Sequence, residues 1–176
     1  MEKIDVRTNH SQLVPYISAE TALNEDLYEL ISIIFRDIFN WIQKNAGKYL
    51  PEEYESLEAT ACILPGNHQS PVLPFLSLIF NVNIVTKGHR DGKDKDFCLV
   101  LPIGNFVGGE LVAMETGLVA EILQGDFMVF PSAFVTHFNL HYRGRRASVV
   151  LHTDKAMDDW AVGRNGWEEN VTFASF

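Results

Sequence analysis

Cysteine is scarce in this 176-residue chain: only Cys62 and Cys98 occur, far apart and each flanked by apolar neighbours. Two thiols cannot build a disulfide framework, so buried free thiols in a reducing compartment are expected. Basic residues are also few. Fourteen Lys and Arg against 23 Asp and Glu leave a net charge of −9, which excludes general adhesion to phosphate backbones, since that needs a field of cations to displace counterions. Long apolar runs are missing too: nothing approaches the length of a bilayer span, and the amino terminus carries no apolar signal core. Low-complexity tracts and long like-charge blocks are absent. The expectation is therefore a soluble, non-secreted, intracellular globular chain. Its 47% hydrophobic and 21% charged residues are ordinary. A chain of this size buries about 68–70% of its unfolded surface, enough for one sizeable core over 1–176.

From Asn24 to about Asn45 the apolar residues Leu27, Leu30, Ile31, Ile34, Phe35, Ile38, Phe39, Trp41 and Ile42 recur at steps of three and four. That period predicts one long amphipathic helix, with Asn24 or Thr21 as its cap, Glu25 and Asp26 at its positive end, and Gly47 as its stop. From Phe75 the pattern changes to short β-branched and apolar runs cut by Gly, Pro and Asp. Strands are expected at Leu76–Thr86, Phe97–Ile103, Glu110–Glu115, Leu118–Leu123, Phe127–Phe130, Phe134–His141 and Arg146–Thr153, with turns at Met114–Gly117 and Gly125–Asp126. Such a series is mainly β with flanking helices. The fold expected is a double-stranded β-helix, a jelly-roll or cupin-like barrel over about 75–153, with the long helix of 1–74 packed on one sheet and 154–176 closing the domain.

Chemistry concentrates in His89-x-Asp91, His137 and Arg146-x-Ser148. Two neutral imidazoles and one carboxylate make a facial triad for Fe(II), leaving three positions for a chelating co-substrate and oxygen. A guanidinium fork with a neighbouring hydroxyl suits the far carboxylate of a dicarboxylic acid on that iron. The pair His-x-Asp is weak alone, since roughly a third of a copy is expected by chance in such a chain, and His152-x-Asp154 repeats it. No histidine follows His152, whereas His89 and Asp91 have their downstream partners. His137 taken singly reads as a hydrogen-bonded core histidine, and its partners reverse that reading. If 142–145 closes a hairpin, His141, Asn139 and His137 oppose Arg146, Ser148 and Val150, all facing one cavity, and Arg145 points away. A slip of one residue would exchange Arg145 for Arg146.

These residues resemble the Fe(II)/2-oxoglutarate-dependent dioxygenases over roughly the second half of the chain: His89, Arg90 and Asp91, then Phe106, Gly108, Gly109, Glu110 and Leu111, then Gly125, Asp126, His137, Arg146 and Ser148. Finer wording in Pro65–His68, Pro74–Ser77, Gly88–Asp91, Lys93–Asp96, Thr136–Asn139, Leu151–Lys155 and Arg164–Trp167 is similar to fungal oxygenase-domain proteins placed near the TET/JBP enzymes. The resemblance implies Fe(II), 2-oxoglutarate and O2, with His89, Asp91 and His137 as metal ligands. It implies decarboxylation of 2-oxoglutarate to succinate coupled to oxidation of a C–H bond, and as first substrate a methylated nucleobase such as 5-methylcytosine in DNA, flipped or single-stranded. A nuclear address follows if DNA is the substrate, and a cytoplasmic one otherwise.

Arg146, Ser148 and Asn83 are the co-substrate candidates. Asn139, Arg90, His68 and Arg143 are substrate candidates, and Thr86 is a weaker one. Each has a plainer alternative: buried Asn serves backbone satisfaction, His68 fits an exposed loop, and the Lys and Asp of 93–96 fit a solvated loop. Phe106, Gly108 and Gly109 shape either an entrance or a bulge. Trp160 and Trp167 read as packing anchors, and His10, His141 and His152 as structural. Two further readings stand beside a DNA oxygenase: the same chemistry on a protein side chain, nucleoside or small metabolite, and a non-catalytic cupin-like binding module. A positive mouth of Arg90, Lys93 and Arg143 would favour DNA over the small substrates.

Overall fold

The computed structural model describes residues 23–62 and 70–163. Thr21, His10, His68, Trp167, the segments 65–68 and 164–167, and the side chain of Trp160 lie outside the described residues. Three helices come first: α1 (Glu25–Ile34), α2 (Arg36–Tyr49) and α3 (Pro51–Ala61). Seven strands follow, β1 (Ser77–Val82), β2 (Cys98–Gly108), β3 (Leu111–Ala113), β4 (Leu118–Ala120), β5 (Met128–Phe130), β6 (His137–Asn139) and β7 (Tyr142–His152), and then α4 (Ala156–Gly163). No described helix is long and apolar enough to cross a membrane.

The single long helix expected from the 3.6-residue period is two. Phe35, at φ −94° and ψ 6°, ends α1 and caps α2, and its ring stacks on Phe39 and meets Phe80 of β1 edge-on at 5.2 Å. Asn24 does hold the N-cap position of α1, its carbonyl accepting from Tyr28 N at 3.0 Å. Gly47 does not stop α2. It lies inside the helix, where a Cβ would meet the Tyr54 ring of α3 at an ordinary contact distance of 3.6 Å. The stop is Leu50, driven out of the helical region by the proline that follows it, and Pro51 then opens α3, where its missing N–H is no loss.

The strands form two antiparallel sheets, ordered β1-β7-β2-β5 and β4-β3-β6. Alternation gives the first sheet two working faces. Leu99, Leu101, Val149 and Leu151 pack against Phe39, Ile42 and Leu57 of the helices. Cys98, Val100 and Val150 turn the other way, toward Leu111 of the second sheet, Ile122 and Phe130. Burying a Leu- or Phe-sized side chain contributes about 1.5–3 kcal/mol, so these layers hold the sheets and helices together. Pro102 sits in β2 where it lacks a donor. It is tolerated because β5 pairs only with Cys98–Val100 and leaves that side of the strand open.

The expected 142–145 hairpin is absent. β6 pairs with β3 in one sheet and β7 with β1 and β2 in the other, so the chain crosses between sheets at Leu140 and His141. Parity nevertheless survives the wrong register, because Arg146 is buried and Arg145 exposed. Neither cysteine forms a disulfide. Cys98 is buried as expected, but Cys62, past the end of α3, is exposed.

Candidate metal centre

His89 and Asp91 lie on the irregular segment between β1 and β2, and His137 opens β6. A backbone bridge joins them: His89 N donates to His137 O at 3.1 Å and His137 N to His89 O at 2.9 Å. Each ring is oriented in the same way. Nδ1 of His89 donates to Lys87 O at 2.7 Å, and Nδ1 of His137 to Val135 O at 3.0 Å. Those carbonyls hold the Nδ1 protons, so that in the neutral rings both Nε2 lone pairs are available to a metal. The Asp91 carboxylate lies between them, 3.6 Å from Nε2 of His89 and 3.4 Å from that of His137.

The three ligand atoms fall within 4.8 Å of one another. Neighbouring ligands about 2.1 Å from a common ion would stand about 3 Å apart, so small adjustments suffice to share one cation. The His137 side chain is 7% exposed while His89 and Asp91 are 40% and 36% exposed, which opens the site on one side only. Phe130 closes the inner side, its ring edge-on to His137 at 4.8 Å. The hydrogen bond from His137 holds Asp91 below the usual carboxylate range despite burial. Burial pushes His137 down, but Asp91 and the Val135 carbonyl outweigh it and leave its pKa raised.

Asp91 is braced through its backbone. Its N–H donates to Ser132 O at 3.1 Å, and its carbonyl accepts from Asp94 N at 2.8 Å. Asp94 is buried and accepts from Ser132 Oγ at 2.5 Å, and its carboxyl is raised by that burial. Cys98 lies in the same neighbourhood, its thiol pushed up to about 12 chiefly by burial.

Arg146 and Ser148 share the β7 face that looks between the sheets. Arg146 is 5% exposed, its Nε has no hydrogen-bond partner, and no ion pair among the described residues involves it. Its guanidinium lies 5.4 Å from the Phe106 ring and 5.7 Å from that of Tyr142, and burial lowers its pKa. Gly109, at φ +81°, makes room for it: a Cβ there would stand 3.3 Å from Nε. The Gly109 carbonyl in turn accepts from Asn139 Nδ2 at 3.2 Å, two residues along β6 from His137. Gly109 thus stands between the guanidinium and β6.

The remaining candidates divide. Asn83, at φ +54°, spends its groups on Arg146, donating N to its carbonyl at 2.8 Å and accepting at Oδ1 from its N at 3.2 Å. It anchors the backbone of Arg146. Thr86 Oγ1 accepts from Asn139 N at 3.4 Å. Arg143 shares the exposed face of Arg145, opposite Arg146, and Lys93 is exposed on its loop. Arg90 is paired with Glu115 and bonded to Thr136, so its charge is already matched by a carboxylate.

Tyr142, Glu115 and Ser132 carry no motif spacing that marks them in the sequence, and Asp94, which the alternation of 93–96 places in a solvated loop, is buried against Ser132. His152, read from the sequence as structural, follows Arg146, Ser148 and Val150 on one face of β7 and lies near Asp91 and Asp94. Strand parity was the signal that could have found it.

No protein-family profile matches the chain, and no curated protein matches it in sequence. Among solved structures it is similar to NgTET1 in complex with 5mC DNA, at 20% identity and a TM-score of 0.62 over 81% of this chain and 56% of that one. The chain therefore shares that fold and spans little more than half of that protein's length. A 2OG-Fe(II) oxygenase family oxidoreductase from Burkholderia pseudomallei is matched at 22% identity and a TM-score of 0.37, over 44% of each chain.

Proposed function

We propose that the protein is an Fe(II)- and 2-oxoglutarate-dependent dioxygenase whose strands from about 75 to 153 serve as the double-stranded β-helix core of a single oxygenase domain, with the helices of 1–74 as its support. The observation that carries this reading is the pairing of two features: an open His-Asp-His cluster with both imidazoles pre-oriented, and a buried guanidinium without an anion. Either alone is commonplace. Together they fit one ligand with a metal-chelating end and a distal carboxylate.

In this reading His89, Asp91 and His137 hold Fe(II), and Arg146 with Ser148 receives the far carboxylate of 2-oxoglutarate. The bound iron and co-substrate supply the activation of O2, with succinate and carbon dioxide as co-products. The chain supplies the rest. Phe106 and Tyr142 keep water from the guanidinium, Asn83 and Gly109 fix its height, and Phe130 dries the inner side of His137. An anion meeting Arg146 in so dry a setting is bound far more strongly than at a surface.

The prime substrate we favour is a methylated nucleobase, supported by the fold shared with a protein crystallised on 5mC DNA. A second reading, a nucleoside, small metabolite or protein side chain, is favoured by the engaged Arg90 and the net charge of −9. Anaerobic Fe(II) and 2-oxoglutarate titration followed by succinate release tests both. Release stimulated by methylated over unmethylated DNA supports the first substrate. Equal release with methylated DNA, unmethylated DNA and neither would remove DNA while keeping the enzyme, and no release with no Fe(II)-dependent absorbance would overturn the chemistry.

A further inference from the structure

Resting on that reading of the metal centre, we infer that Arg90 and Glu115 form a clamp that positions the ligand-bearing loop against β6, so that metal affinity depends on a bond network outside the ligand set. Arg90 stands between the two ligands of the loop. Its side chain leaves the site, Nε donating to Thr136 Oγ1 at 3.0 Å and Nη2 to Glu115 Oε1 at 2.5 Å. Glu115 belongs to the β3–β4 turn and accepts twice more, from Thr136 N at 2.7 Å and from Thr136 Oγ1 at 2.6 Å. Thr136 immediately precedes His137, and its carbonyl accepts from Met114 N at 2.9 Å. Donors and acceptors are consistent round the ring, because the Thr136 hydroxyl accepts from Arg90 and donates to Glu115.

The network ties together three separate stretches of chain: the loop of His89 and Asp91, the residue before His137, and the turn after β3. That loop belongs to neither sheet. Among the described residues its backbone meets β6 through the pair of bonds between His89 and His137, and Asp91 N is held separately by Ser132 O at 3.1 Å. The side chain of Arg90, set between those two backbone anchors, adds a third that ties the loop to the residue before His137 and to the β3–β4 turn. An isolated surface ion pair contributes little to stability. Three charge-assisted bonds converging on one carboxylate make a geometric constraint of a different kind, and outer groups that orient ligands commonly govern affinity by about 10–100-fold.

The test uses Co(II) as probe, titrated anaerobically into the whole protein and into Glu115→Ala, Arg90→Ala and Arg90→Lys variants, with the thermal midpoint of each metal-free protein measured in parallel. The expected result is Co(II) binding weakened about tenfold or more in the two Ala variants, an intermediate loss for Arg90→Lys, which keeps the charge but not the fork, and metal-free midpoints close to the parent's. Affinities within twofold of the parent would overturn the clamp, as would lowered midpoints with unchanged affinity, the mark of a merely structural pair. A parent protein that binds no Co(II) would overturn the metal centre itself and the clamp with it, whereas a parent that binds and variants that bind equally defeat the clamp alone.

Discussion

Replacing Arg146 by Met should make the ligand-free protein more stable while removing its response to 2-oxoglutarate. The guanidinium is 5% exposed with an unpartnered Nε, and an unsatisfied buried polar group costs about 1–3 kcal/mol. The Phe106 and Tyr142 rings return about 0.5–2 kcal/mol of this through cation–π attraction. Met keeps the apolar stem and discards both terms, for a net gain of about 1 kcal/mol, or roughly 2–4 °C in Tm for a chain of this size. With ligand the sign reverses. At a hundredfold excess over Kd the parent gains about 2.7 kcal/mol, roughly 5–10 °C. Truncating one partner of a buried charge pair costs about 2–5 kcal/mol, so the variant binds on the order of 30-fold to several thousand-fold more weakly and keeps less than about 1 kcal/mol of that shift. Thermal melts with Co(II), with and without 2-oxoglutarate, read both quantities, and Arg145→Met on the exposed face should change neither. A ligand shift in Arg146→Met equal to the parent's, or a ligand-free Tm lowered by more than about 5 °C, would refute the reasoning, since the guanidinium would then be satisfied within the free protein.

Metal affinity should rise with pH. In the metal-free protein the lowered Asp91 and raised His137 stabilise the fold between their two pKa values, an effect lost as pH falls through the first or climbs through the second. A metal needs His137 neutral, so Co(II) must displace its proton, and affinity should level off only above the raised value; an affinity flat from about pH 6 to 8 would contradict this. Gly109→Ala should cost about 1–3 kcal/mol from its φ of +81° and also weaken 2-oxoglutarate binding, because the new Cβ meets Arg146 Nε at 3.3 Å; stability lost with ligand binding unchanged would separate the two roles. Thiol titration of the native protein should detect Cys62 promptly and Cys98, raised to about 12, only on unfolding.

How much of this was legible depended on whether a feature was local. The β-rich run after Phe75 could be read because strand period and turn residues are written in neighbouring positions, and the Met114–Gly117 turn between β3 and β4 stands where they put it. The break at Phe35 could not be read, because an aromatic serving the β1 face looks the same in sequence as one continuing a helical stripe. Sheet partnership was equally hidden. Nothing in 140–145 announces that the chain changes sheets there, and the expected hairpin put His137 opposite Val150, when its partners are Ala113 and His89. The burial of Arg146 was nevertheless legible, because parity along one strand is indifferent to which strand lies beside it.

The same distinction explains how cations are distributed around the centre. Four arginines lie in or near it, and sequence proximity alone offers all of them to an anion. The fold assigns each a different environment: Arg90 to Glu115, Arg143 and Arg145 to solvent on the outer face of β7, and Arg146 to a dry interior with nothing to neutralise it. A charge so placed is tolerated by the free protein only at a cost, and that cost is relieved by an anion of the right reach. Co-substrate selectivity would then come from the depth of Arg146 behind Gly109 more than from charge, because a shorter dicarboxylate chelated at the triad would leave the guanidinium unpaired.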